Sequence, residues 1–312
     1  MLRLAWALAL VLLAISSALQ FARGPVSAPR ESFKRISAEA FSREVKVFRG
    51  LTCAAGTLLA LNYPACNAAV VAFYEHLKGF QLFHHFSFEP LFASTCFAVY
   101  IAAFAAIDYW VPSMWKYRIQ NEGTGDSLDS WKDRLKDALT FEVPLYLFLW
   151  IPFGGFVRAR KIQQTTSLAL VLKEVVAGLL LYDTFFYFGH RMIHRFSWLF
   201  NNVHKKHHSM VTIRAGDSVR HTFLDGVFDV VCAVAALMIL QANALSRLVF
   251  NAVAIFLIVE NHCGLLLPIS PSALAPAVFC GPVAHDLHHQ TGRGNYAKFF
   301  HLDSLLGTRL VS

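Results

Sequence analysis

Long apolar stretches, separated by short polar and basic segments, run through most of this chain. A stretch of about 20 apolar residues has the length of a helix that crosses a bilayer. We therefore predict three transmembrane hairpins, the first of which is weakened by Pro64. Their paired segments are residues 51–74 with 90–110, 141–157 with 168–188, and 223–240 with 245–267.

The composition supports a membrane protein. Of the 312 residues, 56% are hydrophobic and only 15% are charged, with a mean hydropathy of +0.46. These values are too apolar for an ordinary soluble domain of this length. The formal charge of +8 does not indicate nucleic acid binding, because the basic residues cluster in short loops beside apolar segments. The predicted fold class is all-α: a polytopic membrane helical bundle.

The amino terminus carries a further apolar stretch, residues 4–19, which is either a cleaved signal peptide or a retained anchor. We predict a retained anchor, since no convincing cleavage site follows and seven basic residues lie between positions 23 and 49. The predicted organisation is an anchor and basic linker at 1–49, transmembrane helices and a cytosolic loop at 50–165, and a histidine-bearing domain at 166–312. A short amphipathic helix is expected in the loop, near residues 131–139.

The second hairpin does not follow the usual distribution of positive charge. Its basic turn, residues 158–161, would lie on the far side of the membrane if both segments crossed fully. Either residues 141–157 form a re-entrant segment or the rule fails locally, and both alternatives stay open. The third hairpin returns to the side from which it leaves. All histidine-bearing segments then share one face, which the surrounding Arg and Lys residues mark as cytosolic.

Three histidine clusters lie in this carboxy-terminal region. Histidines three or four residues apart share one face of a helix, so their ring nitrogens can converge on a point. This is the geometry of metal ligands. If the third hairpin folds back as predicted, two further histidines join the clusters. The ten candidate ligands are His190, His194, His204, His207, His208, His221, His262, His285, His288 and His289.

Chance and structural zinc are weak explanations for these clusters. Two copies of an H-x-x-H-H pattern are improbable when only 14 residues are histidine. Structural zinc favours closed sites rich in cysteine, whereas the six cysteines here form no C-x-x-C pair. For His221 the alternative is a polar residue at a helix start. A similar structural role is the alternative for His262.

Ten neutral imidazoles are enough for two metal ions with about five ligands each. Imidazole suits iron, copper, nickel and zinc. We favour iron, because a membrane-embedded chain implies a lipid substrate whose unactivated C–H bonds need oxygen chemistry. The fold prediction therefore includes a cytosolic di-metal cap. Asp183 and Asp286 could each accept the outer N–H of a ligand imidazole, although Asp183 could instead pair with Arg191 or with a lysine.

Several motifs resemble the fatty acid hydroxylase and sterol desaturase superfamily of membrane di-iron oxygenases. Asp183, Tyr187 and His190-Arg191 match its D-x-x-x-Y-x-x-H-R element, and residues 260–264 (E-N-H-C-G) match its E-[DN]-H-[SC]-G element. Residues 294–297 (G-N-Y-A) and 303–308 resemble its closing elements. Within the superfamily, cholesterol 25-hydroxylases and sterol 4-methyl oxidases are the most similar. The chain departs at Leu302, where the family usually has an aromatic residue, and after His221, where no proline follows.

The resemblance implies O2-dependent C–H hydroxylation of a sterol or other lipid, with two iron ions held by the histidines. Electrons would come from NAD(P)H through cytochrome b5 and its reductase, in the endoplasmic reticulum membrane. A basic rim could dock such an acidic partner or contact lipid headgroups. The alternatives are desaturation, a non-catalytic scaffold or lipid sensor, and a metal transporter. The rim consists of Lys205, Lys206, Arg214 and Arg293.

Overall fold

The computed structural model describes residues 36–120 and 162–311, apart from 163 and 211. Within these ranges all regular elements are helices. Polar side chains mark where several of them begin: the hydroxyl oxygens of Ser37, Ser167 and Thr222 each accept a backbone N–H three residues further on. The seven longer helices are α1 (Ala38–Leu61), α2 (Tyr63–Lys78), α3 (Phe88–Trp110), α4 (Leu168–Arg195), α5 (Phe223–Ile239), α6 (Ala244–His262) and α7 (Gly281–Thr291).

The first predicted span is not one straight helix. The chain turns by 82° between α1 and α2. Pro64 lies in the first turn of α2, where its missing N–H costs nothing and its fixed φ suits a helix start. The predicted segment at 51–74, which Pro64 was expected to interrupt, is thus divided between two helices that form either a broken span or a re-entrant loop.

Two helices, Phe88–Asp108 and Ala244–His262, are long and apolar enough to cross a membrane, and the bent pair makes a third if it counts as one span. Residues 168–188 lie in α4 and residues 223–239 form the 17-residue α5, so both segments are helical as predicted, but neither is among the candidate membrane spans of the described residues. Along α4, exposed apolar side chains recur every fourth residue at Leu172, Val176 and Leu180. The predicted segments at 4–19, 131–139 and 141–157 lie outside the described residues.

Helix α6 lies at the centre of the bundle. It packs against α3, α4 and α7, and most of its side chains are buried. Near its start, Arg247 donates to the Glu89 carboxylate on α3 at 3.0 Å, and Asn251 donates to the other oxygen of Glu89 at 3.2 Å. Charges in an apolar environment must be paired. This ion pair therefore fixes α3 against α6 at the end of the bundle away from the histidines.

Close packing of α4 against α5 depends on Gly189. A Cβ atom at this position would overlap the ring of Phe228 on α5. The next residue along α4 is His190, so the absence of a side chain at position 189 lets the helices approach beside the first histidine cluster. The fold therefore brings the end of α4 close to the start of α5.

Candidate metal centre

Five histidines form a first group of converging ring nitrogens. His190 and His194 lie one turn apart at the end of α4. His204 ends a π-helical turn, His208 follows it in a short 3₁₀ turn, and His288 lies on α7. One ring nitrogen from each of the five lies within 4.8 Å of every other. Three separate parts of the chain therefore converge on one point.

Four histidines form a second group with the same separation limit of 4.8 Å. His207 comes from the 3₁₀ turn, His262 is the last residue of α6, and His285 and His289 lie one turn apart on α7. The adjacent residues His207 and His208 thus belong to different groups. Helix α7 also contributes to both groups, so the two groups are neighbours.

The outer ring nitrogens are held by backbone carbonyl groups. The Nδ1 atom of His190 lies 2.9 Å from the oxygen of Tyr296, and that of His288 lies 2.7 Å from the oxygen of Gly294. In the second group, the Nδ1 atom of His262 lies 2.7 Å from the carbonyl of residue 258. A carbonyl can only accept, so each of these Nδ1 atoms carries the proton. Each Nε2 lone pair is left to face the centre.

The spacing of the inner nitrogens suits a bound ion. The Nε2 atoms of His190 and His204 are 2.9 Å apart, and those of His262 and His285 are also 2.9 Å apart. Two imidazole nitrogens bound at about 2.1 Å and at right angles to each other would be separated by about 3 Å. Without an ion, lone pairs at this distance repel one another. The donors therefore fit a metal in each group.

Burial keeps the imidazoles of His194 and His288 neutral. Burial, followed by repulsion from neighbouring imidazoles, lowers the pKa of His194 to about 2. Burial likewise lowers the pKa of His288 to about 3. Within the described residues, the buried Nε2 atoms of His208 and His288 have no hydrogen-bond partner. A neutral imidazole with an unused lone pair is the form that binds a metal ion.

Among the described residues, Asp225 on α5 is the carboxylate that contacts a ligand imidazole. Its Oδ2 atom lies 2.8 Å from Nδ1 of His204, and both side chains are buried. Sequence reasoning missed this residue. The available signal was an acidic side chain in a strongly apolar helix, where the residues from 223 to 240 contain only Asp225 and Asp229 as charged groups.

The two aspartates predicted to hold imidazoles contact none within the described part of the chain. Asp183 accepts backbone N–H groups of three consecutive residues, 298–300, at 2.6, 3.0 and 2.8 Å. These donors satisfy both of its oxygens. Asp286 accepts instead from the side-chain amides of Gln120 at 2.7 Å and Gln290 at 2.6 Å. Both carboxylates are occupied by these other donors, so the predicted contacts with ligand imidazoles are not made by the described residues.

The interactions of Asp183 and of neighbouring residues connect α4 to the carboxy-terminal segment. One turn after Asp183, the hydroxyl of Tyr187 lies 2.9 Å from that of Thr308. Thr308 donates to Asp303, which also accepts the backbone N–H groups of Tyr296 and residue 297. These contacts are made although residue 302 is Leu and not the aromatic residue that the family usually has there. They position the carbonyl of Tyr296 that holds His190.

The remaining predicted residues lie elsewhere. His221 is buried but belongs to neither group. Arg214, predicted to lie in an exposed basic rim, is buried, with its Nε atom 3.7 Å from an oxygen of Asp108. Lys205 and Arg293 are exposed as predicted, and Lys206 is half-buried. The prediction for Arg214 fails because the loop at 212–220 folds back against α3.

A second buried polar cluster, which sequence reasoning missed, lies between α4 and α5. The Lys298 ammonium donates to the Tyr182 hydroxyl and to Asp229, each at 2.9 Å, and lies 4.0 Å from the centre of the Phe186 ring. The same Phe186 ring is 4.9 Å from the ring of His190. This cluster fixes the aromatic wall beside the first histidine group.

Comparison with known proteins gives the family. A model described as fatty acid hydroxylase matches residues 175–308. Cholesterol 25-hydroxylase of Rattus norvegicus is 30% identical over 233 residues, covering 71% of this chain and 76% of that protein. The chain belongs to the fatty acid hydroxylase family. The family predicted from the motifs is therefore confirmed.

Two other relatives show which enzymes the chain is similar to. Cholesterol 25-hydroxylase of Homo sapiens is 29% identical over 248 residues, covering 75% of this chain and 88% of that protein. Sphinganine C4-monooxygenase 1 of Arabidopsis thaliana is 28% identical over 168 residues, covering 52% and 63%. No solved structure matches the chain. As a member of this family, the chain is an oxygen-dependent lipid oxidoreductase.

Proposed function

We propose that this chain is a di-iron hydroxylase that inserts one oxygen atom from O2 into an unactivated C–H bond of a sterol. The observation that carries the proposal is the pair of buried histidine groups, of five and four ligands. Iron in such a site supplies the redox chemistry that activates O2. All-imidazole ligands suit iron, and neither group includes a cysteine among the described residues.

Each residue in the site would have a defined task. The nine histidines hold the ions and stay neutral, so they carry out no acid–base step. Asp225 fixes the ring of His204 and increases its basicity. Aromatic rings surround the first group: Phe200 lies 5.2 Å from the ring of His194. Such a wall excludes water from the reacting carbon and accommodates an apolar substrate.

The assignment of His221 follows from its position. It is buried but lies outside both groups, and the second group has one ligand fewer than the first. We propose that it supplies the fifth ligand of the second group after a small movement. Both groups would then have five imidazoles, as the count of ten histidines predicted.

The proposed substrate class comes from the extent of the similarity. The cholesterol 25-hydroxylases of Homo sapiens and Rattus norvegicus match 75% and 71% of this chain at 29% and 30% identity, whereas sphinganine C4-monooxygenases 1 and 2 match 52% and 65% at 28% and 27% identity. The sterol enzymes thus match a somewhat larger share of the chain, which favours a sterol substrate. Hydroxylation is favoured over desaturation because these relatives are named as hydroxylases and monooxygenases.

The proposal includes the cellular setting. The chain would reside in the endoplasmic reticulum membrane with its histidines facing the cytosol, and it would receive electrons from NAD(P)H through a reductase and cytochrome b5. The exposed Lys205 and Arg293, with the half-buried Lys206, lie close in sequence to the ligands. Their positive charge suits the docking of an acidic electron donor.

The test is product analysis after turnover with oxygen-18. Purified protein in nanodiscs, supplied with reductase, cytochrome b5, NADPH and ¹⁸O2, is incubated separately with cholesterol and with sphinganine. We expect an alcohol of cholesterol with one ¹⁸O atom, and no product from a His207→Ala/His288→Ala variant. His76→Ala, which changes a histidine outside both groups, is the control. An alkene product, or an alcohol from sphinganine alone, would refute the proposed reaction or substrate.

A further inference from the structure

The face of helix α7 opposite its histidines lines a cavity. The ligand residues His285, His288 and His289 share one side of the helix, whereas Val283, Ala284 and Leu287 share the other. The second side lines a cavity of about 590 Å³. This volume lies within the range of about 300–1,000 Å³ that is typical of ligand-binding pockets. The cavity is separated from the metal centre by the helix itself.

The cavity lies between α7, α1 and the carboxy-terminal segment. Its inner wall is apolar and includes Val45, Phe279 and Phe300. The guanidinium of Arg49 donates to the carbonyls of Leu274 and Ala273 at 2.8 Å each, which fixes α1 at the edge of the cavity. A cavity with a largely apolar wall accommodates hydrocarbon.

The edge of the cavity is positively charged. Lys46, Arg49 and Arg309 line it, against a single acidic residue, Asp303. The oxygens of Asp303 already accept hydrogen bonds from Thr308 and from two backbone N–H groups. Lys46 makes no hydrogen bond or ion pair within the described residues. An excess of cationic side chains beside an apolar wall fits an anionic amphiphile.

The position of the cavity along α1 indicates that it faces the membrane. Exposed apolar side chains of α1 lie beside and after Lys46 and Arg49: Val47 is 61% exposed and Leu51 is 60% exposed. On the other side of the cavity, Leu305 and Val311 are 82% and 79% exposed. Apolar side chains this exposed suit contact with lipid. A basic edge beside such apolar side chains suits the boundary where phospholipid phosphates are found.

We propose that this cavity binds an anionic membrane phospholipid. Lys46, Arg49 and Arg309 hold the headgroup phosphate, and an acyl chain lies along the wall formed by α7 and Phe300. The site is distinct from the metal centre, since α7 presents its histidines on the opposite side. It therefore goes beyond the proposed hydroxylation and does not depend on it.

The experiment measures lipid retention by the full-length protein with native mass spectrometry. Phosphatidylserine and phosphatidylcholine with identical acyl chains are added separately, and inorganic phosphate is added as a competitor. We expect phosphatidylserine to bind at least about tenfold more tightly than phosphatidylcholine, and inorganic phosphate to leave its binding unchanged. Lys46→Glu/Arg309→Glu should abolish that preference. The charge-conserving Lys46→Arg/Arg309→Lys variant should retain it.

The matched control is Arg43→Glu/Lys173→Glu, which makes the same change in net charge at two exposed residues outside the cavity. It should bind phosphatidylserine as the wild type does. The proposal is overturned if the two lipids bind equally, or if the control variant loses the preference as well. Displacement of phosphatidylserine by inorganic phosphate alone would assign the site to free phosphate and would also overturn it.

Discussion

The Oδ2 atom of Asp225 lies 2.8 Å from Nδ1 of His204. Both side chains are almost completely buried, at 8% and 3% exposure. A carboxylate in this position holds the imidazole in one tautomer, directs its Nε2 lone pair inward and makes it a better ligand. Asp225, on α5, therefore supports a ligand of the first histidine group.

Replacing Asp225 with Asn should weaken metal binding in the first group. Loss of the carboxylate removes the charge that stabilises the ligand ring, and such changes cost about 10–100-fold in metal affinity. The measurement is iron content by mass spectrometry during a graded challenge with a chelator. We expect one of the two irons to be lost at a lower chelator concentration than in the wild type.

Asp286→Asn is the control for this experiment, because the sequence spacing assigned Asp286 the same task. Its carboxylate contacts Gln120 and Gln290, with no imidazole among the described contacts. Iron retention in this variant should match the wild type. If Asp286→Asn releases iron and Asp225→Asn does not, the structural assignment is wrong.

Replacing Asp183 with Asn should destabilise the fold. Three backbone N–H groups of residues 298–300 donate to the carboxylate, and an amide offers one acceptor oxygen in place of two. A buried N–H group that is left without an acceptor lowers the free energy of unfolding by about 1–3 kcal/mol. Thermal unfolding in detergent should show a clearly lower melting temperature.

Thr184→Ala is the matched control for Asp183, since it changes the next residue of α4. The Thr184 hydroxyl donates only to the carbonyl of Leu180 in its own helix, at 2.7 Å. Its removal should leave the melting temperature nearly unchanged. Equal melting temperatures for both variants would show that Asp183 does not hold the carboxy-terminal segment.

Arg247→Leu should lower the stability of the fold more than the double variant Arg247→Leu/Glu89→Leu does. The single change leaves the Glu89 charge buried with Asn251 as its remaining side-chain partner among the described residues, which costs about 3–5 kcal/mol. Removing both charges avoids this penalty. A thermal-unfolding cycle with both single variants measures the coupling. Additive effects would contradict a buried ion pair between α3 and α6.

The sequence predicted the ligands better than their arrangement. Pairs such as His190 with His194 share a helix face by spacing alone, so their convergence was predictable. The separation of adjacent His207 and His208 into different groups was not predictable, because it depends on how the turn at 200–209 meets α6 and α7. Asp225 was missed for the same reason: its partner His204 is 21 residues away on another element.

The membrane segments show a similar limit. Hydropathy identified residues 90–110 and 245–267, and helices α3 and α6 occupy most of these ranges. It could not show that α1 and α2 meet at 82°, since apolar composition is the same on both sides of the bend. Pro64 was the available signal, and a proline in the first turn of a new helix was the correct interpretation.

The central claim is that the histidines form two separate iron sites, and metal analysis of paired variants tests it most directly. Detergent-purified wild-type protein, expressed with iron available, should contain about two irons per chain. His208→Ala/His288→Ala changes two ligands of the first group and should leave about one. His207→Ala/His288→Ala changes one ligand in each group and should leave neither site intact. Equal iron content in the two double variants, or wild-type protein without iron, would contradict the account.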